Sequence, residues 1–320
     1  MPGTDMSLEK LKAYQGMTQE PDDFWEFWER SWKQVQPLAD TLVLERRKSS
    51  QREMEFWNVT IRGLDGLELK GKFIHPVNIS HTPLVIQFHD FPGGSRSWMH
   101  LSRYAAIGYS VLAMDCRGQG GLSNGPYVQK GITAYGPLFH GLSGKPEEMY
   151  LYKLYTDALA AVSAAKNLPG IDPEQLICYG EGQGAALALA CAAFEPSVIK
   201  CGLHYPCLCD YRRVWDMDFD KGYYEGLRYY FRWKDSLNEK GDETFAKLDY
   251  MDGVNFASYA KTSVLMSVCL QDLVSPPSCQ FAVYNHLNCP KVHKIYPKHG
   301  HELNNFFENE WLKFLLTSTF

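Results

Sequence analysis

Leu176-Ile177-Cys178-Tyr179-Gly180-Glu181-Gly182-Gln183-Gly184 is the stretch on which the fold turns. An apolar run enters three alternating glycines, and the alanine-rich segment from Ala185 to Phe194 follows at once. That is the order of a buried strand, a sharp turn and a helix. In a nucleophile elbow, Gly-x-Ser-x-Gly, the residues flanking the serine are small because the turn is strained and its backbone close-packed. Here the central position is Gly182, which has no side chain to attack anything.

Working outward, other short apolar runs repeat the strand pattern. They are Leu84 to Phe88, Ser110 to Met114, Val264 to Val268 and Val292 to Tyr296, each short enough and apolar enough for a parallel strand buried on both faces. Helical periods lie between them, most clearly Leu151 to Ala165 and Ala185 to Phe194. Before them, Glu55 to Ile61 and Leu67 to Phe73 alternate polar and apolar residues around Gly63-Leu64-Asp65-Gly66, which predicts an antiparallel pair. The opening Pro21-Asp22-Asp23-Phe24-Trp25-Glu26-Phe27-Trp28 spaces its aromatics for an amphipathic helix. The expectation is an α/β hydrolase fold over residues 1–320 as a single domain: a mostly parallel, doubly wound sheet with antiparallel strands at its N-terminal side. Residues 210–249, dense in Tyr, Phe, Trp and charge, break the rhythm and are expected to form a helical insertion whose aromatics pack against the body.

Composition narrows the partners. A formal net charge of -5 over 320 residues, with no run of like charges, argues against a nucleic acid or an anionic membrane surface. No apolar run is long enough to span a bilayer and the amino terminus lacks a leader pattern, so a cytoplasmic protein is expected. Nine cysteines, an odd number without C-x-x-C spacing, read as buried thiols of a reducing compartment, and Cys207-Leu208-Cys209 as packing rather than a metal pair. No metal and no cofactor are expected.

In this fold the catalytic groups arrive as nucleophile, acid and histidine, each after a strand. The order here is Gly182, Asp272, His301. Asp272 follows the Val264 to Leu270 run, where an acid can orient an imidazole. His301 lies in the loop after the last strand, where it can swing over the elbow. Two backbone donors complete such a site, and the Phe91 amide in His89-Asp90-Phe91-Pro92-Gly93-Gly94 and the Gln183 amide are placed to form the oxyanion hole. Both survive without a serine because both are main chain.

The chain resembles the carbohydrate esterase family of acetyl xylan esterases and cephalosporin C deacetylases, nearly end to end. The marks are Pro21-Asp22-Asp23-Phe24-Trp25, Asp115-Cys116-Arg117-Gly118-Gln119-Gly120, Tyr150 to Ala158, Tyr205 to Asp210, Leu248 to Asp252, Asp272-Leu273-Val274-Ser275-Pro276-Pro277-Ser278 and Gly300-His301-Glu302. The resemblance implies cofactor-free removal of acetyl groups from small sugars or the cephalosporin side chain, often by a homo-oligomer, a ring-like hexamer. Its elbow, Gly-Gly-Ser-Gln-Gly-Gly, is Gly180-Glu181-Gly182-Gln183-Gly184-Ala185 here, with Gln183 holding the register. Glu181 is not a replacement nucleophile, since the side chain before the nucleophile leaves the turn in another direction. Without the hydroxyl there is no acyl-enzyme, and only a residual rate from binding and the oxyanion donors is expected. The sequence leaves four accounts open: an inactive or very weak homologue that still binds small acetylated, sugar-like ligands; a hydrolase whose water is activated by His301 and Asp272; an active deacetylase disarmed by a deliberate Ser-to-Gly change; and a non-enzymatic scaffold or regulatory protein.

Overall fold

The structure is a computed structural model that describes residues 5–125, 136–219 and 221–317. Nine strands form one sheet in the order β1-β2-β3-β5-β4-β6-β7-β8-β9. They are β1 (Val43–Arg46), β2 (Met54–Arg62), β3 (Glu68–Pro76), β4 (Thr82–Phe88), β5 (Ser110–Met114), β6 (Ile171–Glu181), β7 (Val198–His204), β8 (Ser263–Cys269) and β9 (Lys291–Tyr296). The β1–β2, β2–β3 and β3–β5 pairs are antiparallel, and every pair from β5–β4 to β8–β9 is parallel. This matches the expected division of the sheet: alternating sequences on the antiparallel side, continuous apolar runs at the buried centre.

Two strands escape the sequence pattern. β1 is a short edge strand with mostly exposed residues, so no apolar period marks it. β7 reads Val-Ile-Lys-Cys-Gly-Leu-His, and its interruptions serve the C-terminal helix Asn305–Leu316. The Lys200 ammonium donates to the Phe314, Leu315 and Thr317 carbonyls at 2.7, 2.9 and 2.6 Å, satisfying groups that a helix end leaves free. Gly202 makes room for Trp311, whose ring lies 2.6 Å from where a Cβ would stand.

The aromatic N-terminal segment forms the helix Phe24–Val35 and buries Phe24, Phe27, Trp28, Ser31, Trp32 and Val35, one stripe at helical spacing. Trp28 packs against Tyr155 and Phe256, and its indole N–H reaches the Tyr250 carbonyl at 2.8 Å. Between β7 and β8 the chain makes the helices Tyr211–Asp216, Glu225–Trp233, Gly241–Asp249 and Gly253–Ala257. Tyr223, Tyr224, Leu227 and Phe231 of this region are buried while Trp233 is exposed, so most of its aromatics are body-facing. Among the described residues no helix is long and apolar enough to cross a membrane.

Candidate active site

β6 ends at Glu181 and the helix Gln183–Phe194 begins with a single residue between them, so the whole turn rests on Gly182, at φ 54° and ψ -117°. An L side chain is strained there. The neighbouring glycines are required by contact: a Cβ on Gly180 would fall on the Gly184 backbone, and one on Gly184 on the Phe88 carbonyl. A Cβ on Gly182 would meet a side chain first: it would fall inside the carboxylate of Asp90. The side chain that stands at the nucleophile position thus comes from the loop after β4.

Asp90 Oδ1 accepts the Phe91 amide at 2.9 Å and the Gln183 amide at 3.1 Å, the two donors expected to form the oxyanion hole. It also accepts the hydroxyl of Tyr223, whose ring stands edge-on to both Phe91 and His301. Asp90 Oδ2 faces His301 Nε2 at 3.0 Å, and His301 Nδ1 meets Asp272 Oδ2 at 2.8 Å. Asp272 is fully buried and locked: Oδ1 accepts the Val274 and Ser275 amides, each at 2.8 Å, and Oδ2 accepts Gln280 Nε2 at 3.1 Å. The Cys207 thiol lies 4.0 Å from His301 Nε2.

The imidazole is therefore clasped between two carboxylates. Burial alone would lower its pKa, but the Cys207 sulfur and the hydrogen bonds to Asp272 and Asp90 outweigh burial and raise it well above the ordinary value. The carboxylates are the effective cause at neutral pH, because burial pushes the Cys207 thiol itself up to about 12 and leaves it uncharged.

Gln119 braces the elbow from the side. Gln183 and Gln119 exchange side-chain amide bonds at 2.6 and 3.1 Å, which explains why Gln119 accompanies the elbow glutamine. Arg117, in the same Arg-Gly-Gln-Gly stretch, is buried and pairs with Asp157 at 2.5 and 2.6 Å and with Asp65 at 2.7 and 3.2 Å. Glu181 points away from the cluster centre to Arg96, at 2.5 Å, and burial raises its pKa.

Gly182, Asp272, His301 and the Phe91 and Gln183 amides thus converge at the carboxyl ends of neighbouring strands. Three further residues join them: Asp90 and Tyr223, which the sequence reading did not place in the site, and Cys207, which it read as packing. Asp90 sits in the very loop from which the Phe91 amide was chosen, and the one available signal was volume, since a missing side chain at a packed elbow leaves space for a neighbour. Tyr223 and Cys207 carry no local pattern that distinguishes them from core residues.

The family model described as acetyl xylan esterase (AXE1) matches residues 1–318. The acetyl esterase Axe7A of Xylanibacter ruminicola is 25% identical over 96% of this chain and 69% of its own length. Among solved structures, acetyl xylan esterase 1 from Thermoanaerobacterium sp. JW/SL YS485 superposes with a TM-score of 0.93 at 36% identity, covering 98% of each chain. The acetyl xylan esterase from Paenibacillus sp. R4 gives 0.90 at 29% identity over 97% of this chain and 99% of that one. The fold is the α/β hydrolase fold, and the chain belongs to the acetyl xylan esterase (AXE1) family.

Proposed function

We propose that this protein is an acetyl xylan esterase homologue that does not carry out serine-based deacetylation and retains, at most, a binding site for small acetylated, sugar-like ligands. The observation that carries the proposal is Asp90. Its carboxylate stands where a nucleophile side chain would project from Gly182, and it already accepts both amides that would hold the oxyanion of an acyl-transfer intermediate. A neutral ester carbonyl competes poorly for those donors against a carboxylate, whose charge-assisted bonds are roughly twice as strong. The account in which His301 activates a water is weakened by the same side chain, because Nε2, the atom that would take the proton, is engaged with Asp90. A cytoplasmic setting belongs to the proposal and is supported by nine unpaired thiols, eight of them buried. So does a ring-like homo-oligomer, carried over from the resemblance and readable as the native mass.

Acetate release from acetylated xylo-oligosaccharides and from a chromogenic acetate ester tests this on chelator-treated protein. The unmodified chain is expected to stay at background, and so is Gly182→Ser, because its Cβ would collide with Asp90. Asp90→Gly combined with Gly182→Ser is expected to turn over with a burst of product. Turnover by the unmodified chain that disappears in His301→Ala would replace the proposal with the activated-water account.

A further inference from the structure

One atomic arrangement in the site is held together by exchangeable protons. His301 Nδ1 is committed to the buried Asp272 carboxylate, so that nitrogen carries the proton and a neutral ring presents a bare Nε2. What Nε2 faces is another acceptor, Asp90 Oδ2, at 3.0 Å, with the Cys207 sulfur at 4.0 Å. Lone pairs pointed at one another need a cation between them. A proton on Nε2 answers the Asp90 contact and the Cys207 thiol hydrogen answers its own, so the metal-free cluster holds two exchangeable protons where a single divalent ion would take the place of both.

We infer that Asp90, Cys207 and His301 form a site for a zinc-class divalent ion, with the fourth coordination position open. The ligating atoms all lie within 4.8 Å of one another. A tetrahedral zinc ion with ordinary bond lengths sets its nitrogen, oxygen and sulfur ligands about 3.4 to 3.6 Å apart. The observed 3.0 and 4.0 Å straddle that range, so seating the ion asks Asp90 to draw back from His301 and Cys207 to move closer to it. One thiolate, one imidazole and one carboxylate suit zinc and its cobalt surrogate rather than calcium or magnesium, which prefer all-oxygen shells.

The outer partners are already in place. Asp272 accepts from Nδ1 and fixes the ring, as a carboxylate does behind a metal-bound histidine. The Phe91 and Gln183 amides and the Tyr223 hydroxyl hold Asp90 by Oδ1, which leaves Oδ2 to ligate. Cys207 is fully buried, while the His301 and Asp90 side chains keep 12% and 22% of their surface exposed, so the open position faces outward to water or a small oxygen ligand. The sequence has no metal-binding spacing because the three ligands come from three separate strand-end loops, after β4, β7 and β9.

This site stands independently of the hydrolytic proposal and is read without turnover. Chelator-treated, reduced full-length protein is titrated with Co²⁺ and followed by absorbance. The expected result is one ion per chain, with a sulfur-to-cobalt charge-transfer band in the near ultraviolet, intense visible bands of a four-coordinate ion, and displacement by Zn²⁺. Cys207→Ser is expected to lose the charge-transfer band, and Asp90→Asn and His301→Gln, each removing a direct ligand, to weaken binding by at least the roughly 100-fold that loss of an outer-shell partner can cost. No saturable Co²⁺ or Zn²⁺ binding by the unmodified chain would overturn the assignment, as would a band that persists in Cys207→Ser and so belongs to another thiol. If Cys207→Ser does not fold, as judged by near-ultraviolet circular dichroism, Asp90→Asn decides: unchanged affinity refutes the site and weakened affinity supports it.

Discussion

Two clusters in this molecule share one plan, a nitrogen-bearing side chain between two aspartates, and they differ in what that side chain can do. Arg117 lies between Asp65 and Asp157, and His301 between Asp90 and Asp272. The guanidinium is permanently charged and has donors enough to fork onto both carboxylates, so the Arg117 cluster is closed chemically as well as sterically. The imidazole has one nitrogen per carboxylate and bridges both as a donor only when it carries an extra proton. One cluster is locked, while the other can exchange its proton for another cation. The locked cluster lies in the Arg-Gly-Gln-Gly stretch that also supplies Gln119 to the elbow, and the exchangeable one lies at the elbow itself.

The largest expected effect comes from breaking the locked cluster. Arg117→Met leaves the buried Asp157 without its cation, and removing one partner of a buried pair generally costs about 3–5 kcal/mol. Urea unfolding at neutral pH reads this directly. Asp157→Asn is expected to cost less, because Arg117 keeps Asp65. If Arg117→Met cost under about 1 kcal/mol, the cluster would be no more than a surface-type pair and the contrast would fail.

A smaller effect is expected at the elbow. Gly182→Ser places an L side chain at φ 54° and into the Asp90 carboxylate. Backbone strain of this kind costs about 1–3 kcal/mol, and the collision adds to it. Asp90→Gly removes the collision but not the strain, so a double-mutant cycle should show the second substitution relieving the first by about 1–2 kcal/mol. Independent, additive losses would mean that Asp90 can leave the elbow freely. The position would then be less committed than the Arg117 cluster by a wider margin.

How much of this was legible in the sequence follows from where the signals are local. The elbow, the parallel strands and the Phe24–Val35 helix are written in contiguous periods, and Asp272 and His301 in strand-end positions whose order is constrained. β7 was hidden because Lys200 and Gly202 answer to the C-terminal helix rather than to the strand. Asp90 was hidden for a related reason. Its part in the site depends on the space left at Gly182, 92 residues away, and on a Tyr223 hydroxyl from a third region. Residues that work by filling a neighbour's missing volume leave no period and no motif.

The subtlest effect separates the clusters by pH, in metal-free protein. His301 is faced by Asp90, Asp272, Cys207, Tyr205, Tyr223 and His204, and the hydrogen bonds to the two carboxylates raise its folded pKa above the ordinary 6.5. A raised pKa on a base contributes stability that is complete below the unfolded value and fades as pH climbs through the folded one. Asp90→Asn removes one of the two charges while keeping the shape, so the variant surrenders its imidazolium proton at a lower pH. The stability gap between the two proteins is expected at about 1.5 kcal/mol, the lower end for a hydrogen bond to a charged group, because both side chains keep some exposure to water. It should be widest from neutrality downward, and close in alkali once both rings are neutral. Ring-proton NMR of His301 across the same range checks the cause, with a downward shift of its titration in Asp90→Asn. An unchanged titration would mean that Asp90 holds the ring only sterically. The exchangeable character of this cluster would then rest on Asp272 and Cys207 alone.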